Sequence, residues 1–292
     1  MPKVNIDLTK VVAYPVNVIQ LLKPVLDDAY ARIPGNTAAK DAAISKAIKH
    51  LMNEYKDLRV GKDISYAAAE VRFAYIFRYV PAHASLVTEI IRRCSELEEL
   101  FEEPEVEIVA IGGGPGSEIV GIAKHCAERH LESILTFNLY DRDSAWANTW
   151  NRLHKKVQLP VKIFPMFKQL DACEAESWKH EDAFAEADLI AMVFFASEVF
   201  KHADEVKPFF RHLFKKAKSG ALILYIDNAA TTFTEWFDDL AEGWGLECIE
   251  GNDGEVIKLS PFEEKSDFEE YFEKFGAPKI QSNVAWRVLR KK

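Results

Sequence analysis

Cysteine is scarce in this sequence. Four cysteines occur among 292 residues, and no two of them have a CxxC spacing: Cys94, Cys126, Cys173 and Cys248. The pattern predicts neither a disulfide framework nor a zinc site, and the histidines show no metal-ligand spacing either. We therefore predict no metal site and expect the cysteines to be buried free thiols.

Long apolar runs are also lacking. No window approaches the roughly 20 apolar residues that a membrane-spanning helix needs. The first residues, MPKVNIDLTK, resemble neither a signal peptide nor a transit peptide. We expect no membrane partner and a cytoplasmic location, with the nucleus as the alternative. The sequence carries no signal for an oligomeric state.

Positive charge is in short supply. The formal net charge is -9, which argues against broad attraction to nucleic acid, although a local basic groove would be compatible with it. The chain is nevertheless rich in apolar residues, with 48% hydrophobic and 12% aromatic side chains. This composition predicts a folded protein with a sizeable core.

The first part of the chain, residues 1–104, has the pattern of helices. In NTAAKDAAISKAIKHLMNEYKDL, apolar residues recur every three or four positions from Ile44 to Leu58. Asn36 or Thr37 is the predicted N-cap of this helix, and Pro81 is expected to separate two later helices. We predict an N-terminal helical region, residues 1–104, that packs on a domain formed by residues 105–292.

The pattern changes after Pro104. Short apolar runs are separated by stretches long enough to hold a helix: VEIVAI, ILTFNLYD, VKIFPMF, ADLIAMVFF and GALILYID. This alternation predicts an α/β fold with a parallel sheet buried on both faces. Two further strands are predicted in the tail, in LECIEGNDGEVIKLS and NVAWRVLRKK, with the charged helix DFEEYFEKF between them.

A glycine-rich turn follows the first predicted strand, in EVEIVAIGGGPGSEIVGIAKHC. The strand ends at Ile111, the turn covers Gly112 to Gly116, and a helix begins at Ser117. Asp141 stands at the tip of the next strand, where a carboxylate can accept both hydroxyls of a ribose. Asp171 follows the third strand. These strand tips together predict a ligand that contains a nucleoside.

The details of the turn indicate which nucleoside ligand is bound. Dinucleotide sites have the spacing GxGxxG and place a pyrophosphate at the helix N-terminus. Here the glycines are Gly112, Gly114 and Gly116, and Glu118 at the helix start would repel a pyrophosphate. A ligand that ends in an ammonium and a sulfonium suits this turn better. S-adenosylmethionine is such a ligand.

The sequence from Val106 to Lys292 resembles the class I S-adenosylmethionine-dependent methyltransferases. The matching motifs are VAIGGGPGSE, LYDRD, LDACE and ADLIAMVFFASEVF. The resemblance implies a Rossmann-like sheet of seven strands, mostly parallel, with helices on both faces and an antiparallel hairpin at the end. It also implies that the glycines line the methionine part, Asp141 the ribose and Asp171 the adenine.

The predicted cofactor-binding residues are Gly112, Gly113, Gly114, Gly116, Glu118, Asp141, Arg142, Asp171, Ala172 and Phe194. One position departs from the family pattern, because Ala110 stands where many members carry an acidic residue. Contacts to the methionine ammonium are then expected from backbone carbonyls of the turn or from Glu118.

A closer likeness concerns the acceptor. The strings IGGGPGSEIVGI, YDRDSAWANTW and FFASEVF, with the helix YIFRYVPAHASLV, look like a group that includes fungal enzymes methylating N3 of a uridine in large-subunit ribosomal RNA. This likeness implies an RNA acceptor. A small-molecule acceptor is favoured by the negative charge and the phenylalanine content, and a non-catalytic binding protein is a third hypothesis.

The acceptor site is predicted beyond the fourth strand. Phe195 and Ser197 are assigned to the substrate there, and Glu198 is a candidate base or substrate anchor, with a solvated helix-start carboxylate as the alternative. Tyr75, Arg78 and Tyr79 lie on the helix before Pro81. An arginine there could bind the methionine carboxylate, and a tyrosine could shape the acceptor pocket.

Structural roles compete with some of these assignments. For Tyr75, Arg78 and Tyr79, roles as packing aromatics and a surface arginine are favoured over roles in the site. We include Tyr79 with Glu198 as a candidate catalytic residue. Trp146 and Trp150 are expected to share one helix face and to pack in the core, with a place near the adenine as the alternative. Among the histidines, His83 is the one candidate for a functional role, because it is close to Pro81.

Overall fold

A computed structural model describes residues 17–56, 58–59, 63–149, 161–259 and 265–292. The first helices are α1 (Val18–Arg32) and α2 (Thr37–Glu54). The side chain of Asn36 accepts a hydrogen bond from the Ala39 N–H at 3.0 Å, which satisfies one of the unpaired amides at the start of α2. This confirms the predicted N-cap.

Three more helices complete the N-terminal region: α3 (Ala69–Arg78), α4 (Val80–Arg93) and α5 (Ser95–Glu102). Pro81 lies in the first turn of α4. Backbone N–H groups in the first turn have no hydrogen-bond partner within the helix, so a proline, which lacks this group, is tolerated there. The predicted separation of two helices near Pro81 is confirmed. Among the described residues, no helix is long and apolar enough to cross a bilayer.

In the part of the remaining chain that the structure describes, seven strands form one sheet in the order β3-β2-β1-β4-β5-β7-β6. The strands are β1 (Glu105–Ile111), β2 (Ile134–Asp141), β3 (Lys162–Gln169), β4 (Leu189–Val193), β5 (Leu222–Asn228), β6 (Leu246–Lys258) and β7 (Gln281–Lys291). The first five are parallel, and β7 runs antiparallel to both β5 and β6. The Rossmann-like α/β fold and the terminal hairpin are therefore confirmed.

Helices flank the strands along the chain. They are α6 (Ser117–Glu128), α7 (Ala183–Glu186), α8 (Phe195–Val199), α9 (Ala203–Lys216), α10 (Thr231–Ala241) and α11 (Glu269–Phe275). Parallel strands β1 and β4 are neighbours at the centre of the sheet, and the strand order reverses there. In open α/β sheets, ligands bind outside the carboxyl ends of the strands at such a point.

Two expectations are corrected. Strand β3 is not buried on both faces, because it lies at the sheet edge and exposes Phe164 and Met166. The cysteines are all free thiols, but only Cys94 and Cys126 are buried, and Cys248 is exposed.

The N-terminal helices pack on the sheet through α4 and α6. At Gly121 in α6, an added Cβ would lie 2.6 Å from the Ala84 carbonyl oxygen and 2.7 Å from the Val87 Cβ. The Thr88 hydroxyl donates a hydrogen bond to the Gly121 carbonyl at 2.9 Å. The two helix backbones thus approach closely, and one buried apolar cluster contains residues of both α4 and β1. The division of the chain at residue 104 stays a prediction.

This close approach predicts that Gly121→Val destabilises the protein. Backbone atoms of α4 would have to move, and overpacking of this kind costs about 3 kcal/mol at the upper end of its usual range. The matched control is Gly254→Val, because a Cβ at Gly254 meets only the Ala229 Cβ at 3.4 Å. Urea unfolding measures both variants. Equal stabilities for the two would contradict the tight helix contact.

Candidate active site

The glycine-rich turn lies between the carboxyl end of β1 and the start of α6. Gly112 and Gly116 have φ values of 69° and 72°, a region that side chains other than glycine rarely adopt. The Gly113 N–H donates to the Tyr140 carbonyl at 3.1 Å, so the turn is fastened to the end of β2. The predicted strand, turn and helix are all present.

Asp141 joins the end of β2 to the same turn. Its carboxylate accepts hydrogen bonds from the Gly114 N–H at 3.2 Å and the Asp143 N–H at 2.9 Å. Burial raises the pKa of Asp141 to about 6, although these two hydrogen bonds oppose the rise. Asp141 therefore both positions the turn and contributes an acidic group to the site.

A pocket with about 820 Å³ of empty space, part of it open to solvent, lies against this turn. We call it the glycine-turn pocket. It gathers seven of the predicted site residues: Gly112, Asp141, Arg142, Asp171, Ala172, Phe195 and Glu198. The N-terminal region also lines it through Leu58, Asp63, Ile64 and Tyr66. The other predicted glycines belong to the turn but do not line this pocket.

Side chains of other residues fill the space beside Gly112 and Gly114, where these glycines have no side chain of their own. A Cβ at Gly112 would lie 2.7 Å from the Phe195 ring, and a Cβ at Gly114 would overlap Trp146 and the Asp141 carboxylate. Trp146 is fully buried, in agreement with the expected core packing. Trp150, four residues later, lies outside the described residues.

Glu118 lies in the first turn of α6 and is only 1% exposed. Its Oε2 atom is among the buried polar atoms for which the described residues provide no hydrogen-bond partner. Burial raises the pKa of Glu118 to about 8, and the nearby charge of Asp141 adds to the rise. A buried carboxylate with one unpaired oxygen suits a cation, because a positive charge would favour its ionised form.

Phe194 changes the chain direction at the end of β4. It adopts a left-handed conformation with φ 59° and ψ 26°, which is rare for a bulky residue and occurs mostly at functional sites. Its N–H donates to the Ile226 carbonyl at 2.7 Å. Phe195 then faces the glycine-turn pocket, and Phe194 faces a second pocket. The sequence analysis assigned Phe194 to the cofactor and Phe195 to the substrate, and these assignments stay predictions.

The second pocket is smaller, with about 400 Å³ of empty space, and we call it the aromatic pocket. It is lined by Tyr55, Leu58, Tyr75, Tyr79, His83, Phe194, Ser197, Asn228 and Lys279. The predicted residues Tyr75, Tyr79 and Ser197 are thus brought together. The predicted residue Arg78 does not line it, and its guanidinium donates instead to the Ala277 carbonyl at 2.5 Å.

Rings form one wall of the aromatic pocket. The His83 ring stacks on Phe194 with centroids 4.0 Å apart, and the Lys279 ammonium lies 5.4 Å from the centroid of the Phe194 ring. Burial, and then the charge of Lys279, hold the pKa of His83 well below its usual range. Burial, and then the charge of Arg78, lower the pKa of Lys279 to about 8. His83 is consequently neutral at physiological pH.

Glu198 connects the two pockets. Its carboxylate lines the glycine-turn pocket and accepts a hydrogen bond at 2.6 Å from the hydroxyl of Tyr55, which lines the aromatic pocket. The Tyr66 hydroxyl is hydrogen-bonded to that of Tyr55 and lies 3.5 Å from the same carboxylate oxygen. Burial raises the pKa of Glu198 to about 7, and the hydrogen bond from Tyr55 opposes this. Glu198 is therefore not the solvated carboxylate of the alternative hypothesis.

Asp227 lines neither pocket, but it holds the backbone of two residues of the aromatic pocket, and the sequence analysis missed it. It is fully buried at the end of β5 and accepts hydrogen bonds from the N–H groups of Ser197 at 2.8 Å and Asn228 at 2.7 Å. Burial raises the pKa of Asp227 to about 6. The sequence run GALILYID could have indicated this residue, because Asp227 ends a predicted strand in the same way as Asp141 ends ILTFNLYD.

Asp63 was also missed, and it fastens the N-terminal region to the rim of the glycine-turn pocket. Its carboxylate pairs with Arg142 at 2.6 Å and with Lys201 at 2.8 Å, and His202 lies 3.1 Å away. Burial opposes ionisation, but the hydrogen bonds from Lys201, Arg142 and His202 hold the pKa of Asp63 well below its usual range.

The ligand atoms of Cys173, His202 and Glu205 lie within 4.8 Å of one another near this rim. Their spacing in the sequence gave no sign of this proximity. One nitrogen of His202 faces Asp63, and the other lies 3.5 Å from Glu205. The absence of a metal site stays a prediction.

Comparison with known proteins identifies the family. Residues 36–236 match the model of a family described as "Putative SAM-dependent methyltransferase". The chain belongs to this family. S-adenosylmethionine is accordingly its cofactor. None of the curated proteins compared with the chain matches it significantly.

Solved structures resemble this family member only distantly. A SAM-dependent methyltransferase from Methanosarcina mazei has a TM-score of 0.44 and 12% identity, over 65% of this chain and 93% of its own. A protein that converts a disulfide bond into a thioacetal group in echinomycin biosynthesis has a TM-score of 0.46 and 9% identity, over 85% of this chain and 93% of its own. Likenesses at this distance say nothing about the acceptor.

The residues around the glycine-turn pocket fit S-adenosylmethionine. Four carboxyl groups with raised pKa values lie at this edge of the sheet, on Glu118, Asp141, Glu198 and Asp227. Burial is the main cause in each case, and a ligand that carries a sulfonium and an ammonium would favour the ionised forms. Which of these residues contact the cofactor stays a prediction.

We predict that Asp141→Ala weakens the binding of S-adenosylmethionine. The variant loses an acceptor for the ribose hydroxyls and the hydrogen bond that holds the Gly114 amide. Bonds to a charged acceptor contribute about 1.5–3 kcal/mol, which corresponds to roughly 10- to 150-fold in the dissociation constant. Calorimetry on folded variant protein measures the change. Glu176→Ala, at a fully exposed carboxylate, is the control, and an unchanged affinity of Asp141→Ala would show that the ribose lies elsewhere.

A second prediction concerns the protonation of the carboxyl groups of Glu118 and Glu198. Because the pKa values of Glu118 and Glu198 are raised to about 8 and 7, both groups hold protons near pH 6.5 that the unfolded chain has lost. The stability of the ligand-free protein therefore falls as the pH rises through this range. Binding of the cationic cofactor should release protons and tighten between pH 6 and 8.

Calorimetry at pH 6.5 in two buffers with different ionisation enthalpies measures this proton release. We expect the observed binding enthalpy to depend on the buffer, and to depend on it less in the Glu118→Gln variant. Buffer-independent enthalpies for the wild-type protein would contradict the role given to the carboxyl groups.

Proposed function

We propose that this protein transfers a methyl group from S-adenosylmethionine to a nitrogen or oxygen atom of a small aromatic acceptor. The observation that carries the proposal is the pair of adjoining pockets. Leu58 lines both of them, and the consecutive residues Phe194 and Phe195 face one each. A donor and an acceptor held in these pockets would be neighbours, and methyl transfer depends mainly on such alignment.

The glycine-turn pocket is the proposed cofactor site. Asp141 would accept the ribose hydroxyls, and Asp171 with Ala172 would border the adenine. Glu118, behind the turn, would supply negative charge for the methionine ammonium. It would replace the acidic residue that many family members carry at the position of Ala110. When bound, S-adenosylmethionine supplies an electrophilic methyl group.

The aromatic pocket is the proposed acceptor site. Its walls carry the rings of Tyr75, Tyr79, His83 and Phe194, and aromatic pairs of this kind favour a planar ligand through stacked or edge-to-face contacts. The ammonium of Lys279 lies among these rings and would attract an anionic group on the acceptor. We therefore propose a planar acceptor with a negative charge.

The charges around the pockets favour a small molecule over RNA. An RNA substrate requires a basic groove that leads to the site. Arg142 and Lys201, which line the glycine-turn pocket, are paired with Asp63, and Asp141, Asp143, Asp171 and Glu198 line the same pocket. Methylation of a ribosomal RNA uridine stays an alternative, as does cofactor binding without catalysis. The open space in the aromatic pocket supports transfer over binding alone.

A methyl-transfer assay tests the proposal. Radiolabelled S-adenosylmethionine is incubated with the protein and, separately, with fractionated metabolites or total RNA. We expect label in a small aromatic product that is insensitive to ribonuclease. Label found only in ribonuclease-sensitive material would favour the RNA alternative, and no transfer to any fraction would favour the non-catalytic one.

Phe194→Ala should lower this transfer at least tenfold while changing the affinity for S-adenosylmethionine less than about twofold, because the ring faces the acceptor side. A tenfold loss corresponds to about 1.4 kcal/mol. The control is Phe164→Ala, since Phe164 is 55% exposed on the edge strand β3. A parallel loss of cofactor affinity in Phe194→Ala would contradict the assignment of the two pockets.

A further inference from the structure

We propose that Tyr55 is a catalytic residue that accepts the proton of the methyl acceptor while it passes its own hydroxyl proton to Glu198. This inference rests on the proposed function. It names the group that removes the proton when an N–H or O–H of the acceptor is methylated.

The position of Tyr55 is the first argument. Glu198 lines the glycine-turn pocket but is absent from the residues that line the aromatic pocket, whereas Tyr55 lines the aromatic pocket. The Tyr55 hydroxyl donates to Glu198 Oε1 at 2.6 Å. A proton from a molecule in the aromatic pocket can therefore reach the carboxylate through the tyrosine oxygen.

The second argument is the fixed geometry of this oxygen. The Tyr66 hydroxyl is hydrogen-bonded to the Tyr55 hydroxyl, and the Tyr55 ring packs against Tyr79 with centroids 5.2 Å apart. Tyr55 comes from the end of α2, while Glu198 lies on α8 after β4. The N-terminal helices thus place a hydroxyl at the wall between the pockets, and the sheet provides the carboxylate that receives its proton.

The balance of the step is simple. The X–H bond of the acceptor breaks, and its proton moves to the Tyr55 oxygen as the Tyr55 proton moves to Glu198 Oε1. The electron pair of the X–H bond stays on X and forms the new bond to the methyl carbon. The bond from that carbon to the sulfonium sulfur breaks, and its electron pair stays on the sulfur, which leaves as a neutral sulfide. Tyr55 ends as a neutral hydroxyl, and Glu198 ends protonated and later loses its proton to solvent.

The protonation states of the free protein suit this direction. Burial, and then the Glu198 charge, hold the pKa of Tyr55 well above its usual range, so Tyr55 passes a proton on without becoming a stable phenolate. Burial raises the pKa of Glu198 to about 7, close to the best value for a base at neutral pH. The charged groups that act on Glu198 are Asp141 and Asp227, which favour its protonation, and Arg142, which opposes it.

Two other groups in the aromatic pocket could accept a proton. Lys279 and His83 both line it, and both have lowered pKa values. Neither has a recorded hydrogen bond to Glu198 among the described residues. The experiment must therefore separate Tyr55 from these two residues.

The first arm of the test measures methyl transfer in a single turnover, with the acceptor found in the assay above, between pH 5.5 and 9. We expect Tyr55→Phe to slow transfer about 100-fold or more, as loss of a general base does, with an unchanged affinity for S-adenosylmethionine. The wild-type rate should rise with pH, with a midpoint at or below pH 7 because the bound cationic cofactor favours the ionised form of Glu198, and this rise should disappear in the variant. His83→Gln and Lys279→Met should keep the midpoint.

Tyr30→Phe is the matched control. The Tyr30 hydroxyl donates to Asp41 at 2.6 Å, so this variant removes a similar tyrosine–carboxylate bond from the same helical region at a place that lines neither pocket. We expect the wild-type rate and pH profile. If Tyr55→Phe behaved like Tyr30→Phe, the proposed role of Tyr55 would be overturned.

The second arm needs no acceptor. Full-length protein labelled with ¹³C at the ζ carbon of tyrosine is titrated by NMR, and the Tyr55 signal is assigned by its loss in Tyr55→Phe. We expect its chemical shift to follow the ionisation of Glu198 with a midpoint near pH 7 and to stop doing so in Glu198→Gln. A Tyr55 signal that does not respond to Glu198 would overturn the inference even if methyl transfer is observed.

The two arms also separate this inference from the function on which it rests. Failure of the wild-type protein to methylate any acceptor would overturn the proposed function, and the inference with it. Methyl transfer at the wild-type rate by Tyr55→Phe would overturn the inference alone.

Discussion

Four carboxyl groups at one edge of the sheet, two buried and two half-buried, constrain the rest of this structure. Ionised carboxylates are costly to bury unless donors or cations surround them. Backbone amides meet this need for Asp141 and Asp227, and tyrosine hydroxyls meet it for Glu198. Glu118 keeps an unpaired oxygen. The turns at the ends of β1 and β4 are therefore partly a consequence of where these acids lie, because the first turn directs an amide to Asp141 and the second directs one to Asp227.

The same constraint explains why the N-terminal helices belong to the site. Tyr55 and Tyr66 provide the hydroxyls that contact Glu198. Asp63 forms ion pairs with Arg142 and Lys201 at the rim of the glycine-turn pocket. Without these residues, Glu198 would face solvent and its pKa would return toward that of an exposed carboxyl group. The packing of α4 on α6, through the close contact at Gly121, holds this region on the sheet. Stability of the helix contact and acidity of the site are thus linked.

Features set by short-range chemistry could be predicted from the sequence. Asn36 caps α2, Pro81 lies in the first turn of α4, and the turn from Gly112 to Gly116 joins a strand to a helix. Each of these features depends on its immediate neighbours in the sequence. Tyr55 and Lys279 could not be placed in this way. Tyr55 fits the apolar face of a helix equally well, and Lys279 follows a charged helix near the C-terminus with no local pattern around it. Both reach the aromatic pocket only through contacts between distant parts of the chain.

Phe194 shows where the sequence is silent for a different reason. A left-handed backbone conformation is expected at glycine or asparagine. The sequence ADLIAMVFF therefore gives no indication that Phe194 adopts it. Such a conformation costs about 1–3 kcal/mol and persists only where the surroundings determine it. Here the Ile226 carbonyl and the stacked His83 ring hold it. This conformation directs two adjacent phenylalanines into two pockets, so a single turn of backbone forms part of the wall between the pockets.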